Sequence, residues 1–366
     1  MSLISYAKMH IYANLHIIPM QQPFIVGKPV TGRYFIDRSA ELKKITALLA
    51  GTSKGSINNI ILLGLRRTGK SSILLNVKTR IDKDKKIVVV IFDAYGISTK
   101  ERFARSFMDA ILNSYMEKTG NKEYKKKIKQ LLSEGYDKVK NKLADFDIVI
   151  AEFVKFHGSL RETKTREDDI LENALEYSER LGKEKGISFV LMIDEFQELL
   201  KWGEGFLKMF RRLVQSQSHV AYVFSGSAPT IMKEMVYDAK SPFYKQLVEV
   251  PVGSLPEKEV ISFVKSRLGS VKITVPDETL GLVYYLTKGL PDYVQRLGLQ
   301  IYLNCLQEDT KTIKDTEVYK AYEEMLVQLD PDFSSLFATF SDLEKEILIA
   351  LANGNESPAT IAADIR

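Results

Sequence analysis

A stretch of nine residues, 64–72, constrains this chain more than any other part of its sequence. It reads Gly-Leu-Arg-Arg-Thr-Gly-Lys-Ser-Ser, which matches the phosphate-loop pattern G-x-x-x-x-G-K-[ST] at every fixed position. The apolar residues 60–63 before it predict a short buried strand, and the helical spacing of Ile73, Val77 and Ile81 predicts a helix after it. A loop between a strand and a helix N-terminus presents unpaired backbone N–H groups to an anion. The stretch therefore predicts an α/β fold with a phosphate site.

Each residue type in this loop has a task in nucleotide binding. The glycines let the backbone curl around a phosphate, because a Cβ would obstruct the approach. Lys70 is expected to reach the β- and γ-phosphates of ATP, and the Ser71 hydroxyl is expected to bind Mg²⁺. The residues predicted to hold ATP or ADP here are Gly64, Arg66, Arg67, Thr68, Gly69, Lys70, Ser71 and Ser72.

A second motif follows about 120 residues later. The apolar run 189–193 is typical of a strand buried on both faces, and Asp194 and Glu195 come directly after it. The strand would place both acids at the carboxyl edge of a parallel sheet, beside the phosphate loop. Asp194 is predicted to hold Mg²⁺, and Glu195 to orient and deprotonate the attacking water. The two motifs together predict ATP hydrolysis rather than anion binding alone.

A third strand, predicted over residues 220–224, ends in Ser225, Gly226 and Ser227. A small polar residue at such a strand end is placed to contact the γ-phosphate or the attacking water. Both Ser225 and Ser227 qualify for this role from the residues alone.

The composition narrows the class of protein. With 45% hydrophobic and 27% charged residues and a formal net charge of +5, the chain is typical of a soluble globular protein, and the charge is a weak hint of anionic partners. No apolar run reaches the roughly 18 residues of a membrane span, and no cleavable leader is recognisable, so a cytoplasmic location is expected. Cys305, the single cysteine, cannot form an internal disulfide, and the four histidines lack zinc-ligand spacing.

The order of predicted elements divides the chain into four parts. Residues 1–30 form an N-terminal arm, whose first nineteen residues are a disordered or docking segment or precede a true start at Met20. Residues 31–253 form a P-loop ATPase domain of alternating strands and helices. Residues 254–330 form a helical lid, and residues 331–366 begin a winged helix-turn-helix domain that is truncated at Arg366. The predicted fold class is α/β, a P-loop NTPase parallel sheet with helices on both faces.

A lysine-rich segment at about residues 118–165 is predicted to be a helical insertion in the ATPase domain. Its lysines favour a solvated helix face over a nucleic-acid-binding one. Within it, the partial alternation of apolar residues over 145–156 predicts a strand or hairpin.

These motifs resemble, in order, those of the archaeal P-loop ATPases of the STAND and AAA+ group, distant relatives of the origin-recognition initiator ATPases. The resemblance is carried by Phe35-Ile36-Asp37-Arg38 with Glu41-Leu42, by the loop with its double arginine, by Asp194-Glu195-Phe196-Gln197, by the sensor-like Gly226-Ser227 and by Gly289-Leu290-Pro291.

The resemblance implies a five-stranded parallel sheet with extra strands inserted between the two motifs, and then a lid and a winged helix. It also implies that Tyr34, Phe35, Arg38 and Pro291 lie near the adenine or ribose. The chain departs from the family at Lys245-Gln246, where relatives show Gly-Arg. The role of that arginine would fall to Lys245, to Arg211 or Arg212, or to no residue, and Arg211 is taken as the catalytic candidate. Turnover that is slow or partner-dependent is implied.

Two functional classes compete. One is an ATP-dependent molecular switch; the other is a nucleotide-controlled DNA-binding protein of the initiator or transposition-helper type, which would bind duplex DNA through its C-terminal winged helix. A homo-oligomer would be required if an arginine acts in trans. A small-molecule kinase needs neither the lid nor the winged helix. The guanine-reading N-K-x-D motif of GTPases and the L-S-G-G-Q motif of ABC-type ATPases are absent from the sequence.

Overall fold

The computed structural model describes residues 22–121, 123–160, 167–355 and 357–364. Residues 1–21 of the predicted N-terminal arm lie outside the described residues, as do position 122 and residues 161–165 of the predicted insertion and the chain end at 365–366. The described chain forms two compact units. The sheet unit comprises residues 27–259 and 290–292, and the helical unit comprises residues 22–26, 260–289 and 293–364.

Five parallel strands form the centre of the sheet unit. In chain order they are β1 (Ile60–Leu63), β2 (Ile87–Asp93), β3 (Ser188–Asp194), β4 (Val220–Gly226) and β5 (Val248–Pro251). Their order across the sheet is β2-β3-β4-β1-β5. The predicted five-stranded parallel sheet is therefore confirmed, whereas the extra strands expected between the two motifs are wrong: β2 is the one strand between them in the described residues, and helices form the rest. One strand, β4, separates the phosphate-loop strand β1 from the acid strand β3.

Both faces of this sheet are covered by helices, because alternate strand residues point to opposite faces and both sets are apolar. On one face, Ile60 and Leu62 join a buried cluster with α1 (Ser39–Leu49) and α2 (Lys70–Ile81). On the other face, Ile61 joins a second cluster that includes side chains of the remaining helices. Those helices are α3 (Lys100–Thr119), α4 (Glu123–Glu134), α5 (Tyr136–Val139), α6 (Ile148–Ser159), α7 (Glu167–Lys185), α8 (Gln197–Leu200), α9 (Gly203–Ser216) and α10 (Pro229–Tyr237).

The predicted strand or hairpin over residues 145–156 is wrong, because most of this segment lies in helix α6. The Asp147 carboxylate accepts a hydrogen bond of 3.0 Å from the Val149 N–H and so caps the helix. Val149, Phe153 and Phe156 are buried at helical spacing. A segment that is apolar on most sides satisfies a twofold alternation and a helical period equally well, and the cap decides between them.

The helical unit contains most or all of six helices. They are α11 (Glu257–Gly269), α12 (Asp277–Thr287), α13 (Pro291–Glu308), α14 (Asp315–Ala338), α15 (Asp342–Ala352) and α16 (Pro358–Asp364). Phe24, from the predicted arm, is fully buried in this unit, where its ring lies 5.9 Å from that of Phe263 and fills the space that a side chain at Gly298 would need. In the described parts of the chain, no helix is both long and apolar enough to cross a membrane.

Candidate active site

The phosphate loop leaves β1 through a glycine that cannot be enlarged. A Cβ on Gly64 would collide with the carbonyl oxygen of Val252, which follows β5. At the other end of the loop, Gly69 has a φ of 88° and Arg67 a φ of 68°, both in the left-handed region. Gly69 adopts this conformation without a steric cost, because it has no Cβ. The same conformation is strained at Arg67. These two residues curl the backbone immediately before α2.

The start of α2 carries backbone donors that have no acceptor in the described part of the chain. The N–H groups of Lys70, Ser71 and Ser72 are all in this state, whereas that of Ile73 lies 3.0 Å from the Gly69 carbonyl oxygen. Free N–H groups and the positive end of the helix dipole together favour an anion. The loop backbone therefore fits the phosphates of a nucleotide.

Lys70 lies inside the loop with its ammonium group directed at the backbone. Its Nζ donates hydrogen bonds to the carbonyl oxygens of Gly64 at 2.8 Å and Leu65 at 2.7 Å. Burial lowers the pKa of Lys70 from its usual value, although the negative charges of Asp194 and Glu195 oppose this shift. The ammonium is thus partly desolvated and close to both acids.

A hydrogen bond joins the phosphate loop to the acid strand. The Ser71 hydroxyl donates to Asp194 Oδ2 at 2.5 Å, and the other carboxylate oxygen accepts from the Glu195 N–H at 3.1 Å. Asp194 is buried at the end of β3, so both of its oxygens are held in place. A hydroxyl and a carboxylate are the oxygen ligands that Mg²⁺ prefers. The two residues fit a magnesium ion bound beside the phosphates.

Glu195 occupies a strained turn directly after β3, with a φ of 51°. Its Oε2 atom accepts hydrogen bonds from the Ser227 hydroxyl at 2.6 Å and from the Gln197 side-chain amide. Its Oε1 atom has no hydrogen-bond partner among the described residues. The next residue, Phe196, is fully buried with its ring 4.6 Å from that of Phe224, which anchors the turn to the core.

The structure distinguishes the two candidate serines at the end of β4. The Ser227 hydroxyl lies at the site through its contact with Glu195. Ser225 is fully buried, and its hydroxyl has no hydrogen-bond partner in the described chain. Only Ser227 is therefore brought to the acids.

Arg38 is placed to support the loop. Its guanidinium is buried and donates to the carbonyl oxygens of Thr68 at 2.9 Å and Gly253 at 2.6 Å, while it pairs with Glu41 at 3.0 Å. Thr68 is itself buried, and its hydroxyl donates to the Leu65 carbonyl oxygen at 2.8 Å. The Arg38 guanidinium thus binds two backbone carbonyl oxygens and one carboxylate.

Residues 30–41, called here the entry segment, lie at the start of the sheet unit and lead into α1. The Ser72 hydroxyl accepts a hydrogen bond of 3.1 Å from the Val30 N–H and so holds this segment to α2. Tyr34 accepts a hydrogen bond of 2.8 Å from Arg33, whose guanidinium lies 4.8 Å from the tyrosine ring centroid. Phe35 is half-buried against the core of α1 and α2.

The double arginine of the loop has two environments. Arg66 is exposed and makes no hydrogen bond or ion pair with any described residue. Arg67 pairs with Asp292 at 3.3 Å. Pro291, one residue earlier, lies directly beside Gly69. The predicted residue Pro291 is therefore next to the loop.

The structure does not bring Arg211 to these residues. No hydrogen bond or ion pair in the described chain joins it to the loop or the acids, and its buried Nε atom has no hydrogen-bond partner there. It lies on α9, which packs against α7, α8 and β4. Arg212 pairs with Glu172 at 2.7 Å. Gln246 accepts from the side-chain amide of Gln215 at 2.9 Å.

The sequence motifs gave no role to Gln197, which the structure places at the centre of the acid cluster. It is buried and contacts both Glu195 and Ser227. Its position two residues after Glu195, in the turn that follows the acid strand, was the available signal.

The family model of an ATPase domain predominantly from Archaea matches residues 35–297, well over half of the chain. No curated protein sequence matches the chain.

Several solved structures are similar in fold. The Walker-type ATPase PABY2304 of Pyrococcus abyssi has a TM-score of 0.64 at 20% identity, covering 93% of this chain and 86% of its own. The ORC2 protein of Aeropyrum pernix, in ADPNP–ADP complexes, has a TM-score of 0.57 at 12% identity, covering 93% and 81%. The ORC1 protein of Aeropyrum pernix, in complex with DNA, has a TM-score of 0.54 at 15% identity, covering 91% and 78%.

These likenesses confirm the predicted P-loop fold and its kinship in fold with origin-recognition proteins. The family match includes the phosphate loop, the acid strand and the end of β4. These lie at the carboxyl ends of the adjacent parallel strands β1, β3 and β4. The chain is a nucleotide-binding P-loop ATPase, and it belongs to the ATPase family found predominantly in Archaea.

Proposed function

We propose that the protein is an ATP-dependent molecular switch that binds Mg-ATP at the phosphate loop and hydrolyses it with a water activated by Glu195. The observation that carries the proposal is the 2.5 Å hydrogen bond between Ser71 and Asp194. It joins the phosphate-binding and acid-bearing parts of the chain, which are 123 residues apart in sequence.

The loop would bind the triphosphate with groups that are already oriented. The N–H groups at the start of α2 point to the anion site, and Lys70 needs only to exchange the Gly64 and Leu65 carbonyl oxygens for phosphate oxygens. Tyr34, Phe35 and Pro291 are proposed to lie near the base or ribose. Arg38 would contribute by fixing the Thr68 carbonyl.

Ser71 and Asp194 are the proposed magnesium ligands. Bound Mg²⁺ would neutralise part of the negative charge that develops on the phosphates. The chain contributes a hydroxyl and a carboxylate at hydrogen-bonding distance, and the N–H of Glu195 keeps the Asp194 carboxylate in its orientation.

Glu195 is the proposed general base. Ser227 and Gln197 hold its Oε2 atom, and its Oε1 atom is without a partner in the described residues, so that it can accept a proton from water. Ser227, which is hydrogen-bonded to this carboxylate, is the proposed sensor of the γ-phosphate.

A change in nucleotide occupancy at the phosphate loop would be transmitted to α13, the helix that begins beside the loop. Arg67 pairs with Asp292, in the first turn of α13, and α13 continues from this turn into the helical unit. A phosphate that attracts the Arg67 guanidinium would change this ion pair. Loop occupancy would thereby alter the anchoring of α13.

Arg211 is proposed to take the role of the arginine that the family resemblance implies at position 246. Because no hydrogen bond or ion pair among the described residues joins it to the loop or the acids of its own chain, it would act on a second copy in a homo-oligomer. ATP turnover per molecule should then rise with protein concentration and fall in Arg211→Met, and a concentration-independent rate would exclude this role.

The proposed chemistry is tested by two substitutions assayed for nucleotide binding and for steady-state hydrolysis. Lys70→Ala should abolish ATP binding, because it removes the ammonium from the loop. Glu195→Gln should retain ATP binding and lose hydrolysis, because an amide cannot take the proton. Normal hydrolysis by Glu195→Gln would refute the role of this residue.

A second candidate function is nucleotide-controlled binding of duplex DNA. The observation that favours it is the outer face of α4, where Lys125, Lys126 and Lys129 are exposed and have no acidic partner among the described residues. Helices α15 and α16 would be the start of the proposed winged helix. DNA affinity should fall steeply with salt and differ between ATP and ADP. Absence of duplex binding at low salt would refute this function.

A further inference from the structure

We propose that Gln197 is a positioning residue for ATP hydrolysis, because its side-chain amide holds the Glu195 carboxylate in the place from which it activates water. This inference rests on the proposed function, in which Glu195 is the general base. It adds a residue two positions further along the chain, whose side-chain amide is hydrogen-bonded to Glu195 and Ser227.

The orientation of the Gln197 amide follows from its contact with a backbone N–H group, which can donate a hydrogen bond but cannot accept one. The Ser227 backbone N–H donates to Gln197 Oε1 at 3.2 Å, so the NH₂ group must face the other way. That group donates to Glu195 Oε2 and lies 3.3 Å from the Ser227 hydroxyl oxygen. A flipped amide would place its oxygen against the carboxylate and its NH₂ against an N–H. The bridge therefore has one arrangement.

The space for this bridge is supplied by a glycine at the end of β4. A Cβ on Gly226 would lie 2.5 Å from Gln197 Oε1 and 2.8 Å from the Met232 sulfur. Gly226 is thus required by the side chain that it faces. The turn after β3 and the end of β4 therefore pack together, and Gln197 and Gly226 are complementary in shape.

The bridge acts on the freedom of Glu195. With both donors present, Oε2 is held from two directions and Oε1 remains available to a water. Without the amide, a single hydroxyl hydrogen bond restrains a side chain that has several rotamers, and the carboxylate spends less time in the productive place. The loss should appear in the chemical step and not in the binding of ATP.

The test compares single-turnover ATP hydrolysis and ATP affinity in the full chain for wild type and Gln197→Met. Methionine has a similar length and fills the buried space without polar atoms. We expect a hydrolysis rate at least about tenfold lower with ATP affinity within about twofold of wild type. Gln215→Met on α9 is the matched control, since its amide contacts Gln246 and not the acids, and it should keep the wild-type rate. Gln197→Asn, which keeps an amide one methylene too short, should behave like Gln197→Met and covers the case in which the first variant does not fold.

A double-mutant cycle separates positioning from packing. Because Gln197 and Ser227 hold the same carboxylate, Gln197→Met combined with Ser227→Ala should lose less than the product of the two single losses. A wild-type rate in Gln197→Met, an equal loss of ATP affinity and rate, or a fully multiplicative double mutant would overturn the inference. Failure of the proposed function looks different, because in that case Glu195→Gln itself would hydrolyse ATP normally.

Discussion

The Arg38 guanidinium donates a 2.9 Å hydrogen bond to the carbonyl oxygen of Thr68 in the phosphate loop, and a second one of 2.6 Å to the carbonyl oxygen of Gly253. The three residues come from the entry segment, the loop and the chain after β5. One buried cation therefore ties the loop to both ends of the ATPase sequence.

Replacing this cation should weaken both folding and ATP binding. Arg38→Met leaves the buried Thr68 carbonyl oxygen, and the carbonyl oxygen of the exposed Gly253, without their donor, so we expect the free energy of unfolding to fall by about 2 kcal/mol. A looser loop should bind ATP about tenfold more weakly, which corresponds to about 1.4 kcal/mol. Urea denaturation and calorimetric titration measure the two effects. Arg33→Met, at an exposed arginine of the same segment, should change stability by less than about 0.5 kcal/mol.

ATP affinity should depend on pH through Lys70. Burial lowers the pKa of this lysine in the nucleotide-free protein, and bound phosphates would raise it again, because they favour the charged form. Binding should therefore take up a proton, and affinity should decrease as the pH rises through the lowered pKa, below 10.5. Titration calorimetry in buffers of different ionisation enthalpy measures this uptake. Lys70→Arg stays charged throughout, so its affinity should not vary over this range; equal pH dependence in both proteins would contradict the assignment.

Acid should destabilise the sheet unit at Glu179. Desolvation raises the pKa of this carboxyl, but hydrogen bonds from His219 and Ser218 outweigh it, so that the pKa is lowered overall. The backbone N–H groups of these two residues lie 2.8 Å and 3.1 Å from the carboxylate. A lowered pKa contributes stability that is present above the ordinary value of 4.5 and is lost as the pH falls through the folded-state value.

The corresponding variant is Glu179→Gln. We expect it to lose about 2 kcal/mol of unfolding free energy at pH 7, and to show a smaller loss of stability than wild type between pH 5 and the acid transition. Glu172→Gln removes a carboxylate paired with the exposed Arg212 and should cost less than about 1 kcal/mol. Parallel acid profiles for wild type and Glu179→Gln would show that this carboxyl does not contribute.

The parts of the site that the sequence predicts are those encoded in a few consecutive residues. The loop and the acid strand each combine an apolar run with polar residues at fixed offsets, and the parallel sheet brings Ser71 to Asp194 without further information. Ser227 could be proposed for the same reason, since it directly follows a strand, but Ser225, at the end of the same strand, met the same criterion. Only the register of β4 and the turn after β3 decide between them.

Residues that act through contacts distant in sequence were beyond such reasoning. Arg38 reaches Gly253 across 215 residues, and Gln197 meets Ser227 across 30. Both fit a local motif, yet neither motif states what the side chain touches. Helix α6 was missed for a different reason, because a segment buried on most sides carries little periodic signal.

At Lys245 the sequence departs from the family pattern, and the effect of this residue on backbone strain can be tested. Lys245 has a φ of 53°, a left-handed conformation in which glycine, the residue that the family resemblance implies here, has no steric penalty. Lys245→Gly should therefore raise the free energy of unfolding by about 1 kcal/mol, since relief of strain exceeds the added entropy of the unfolded chain. Lys240→Gly, at a turn residue outside the left-handed region, should instead destabilise by about 0.5 kcal/mol. Urea denaturation midpoints measure both changes. Because Arg211 rather than Lys245 is the proposed cation, Lys245→Gly should also keep its ATP turnover, and a large loss of turnover would transfer that role to Lys245.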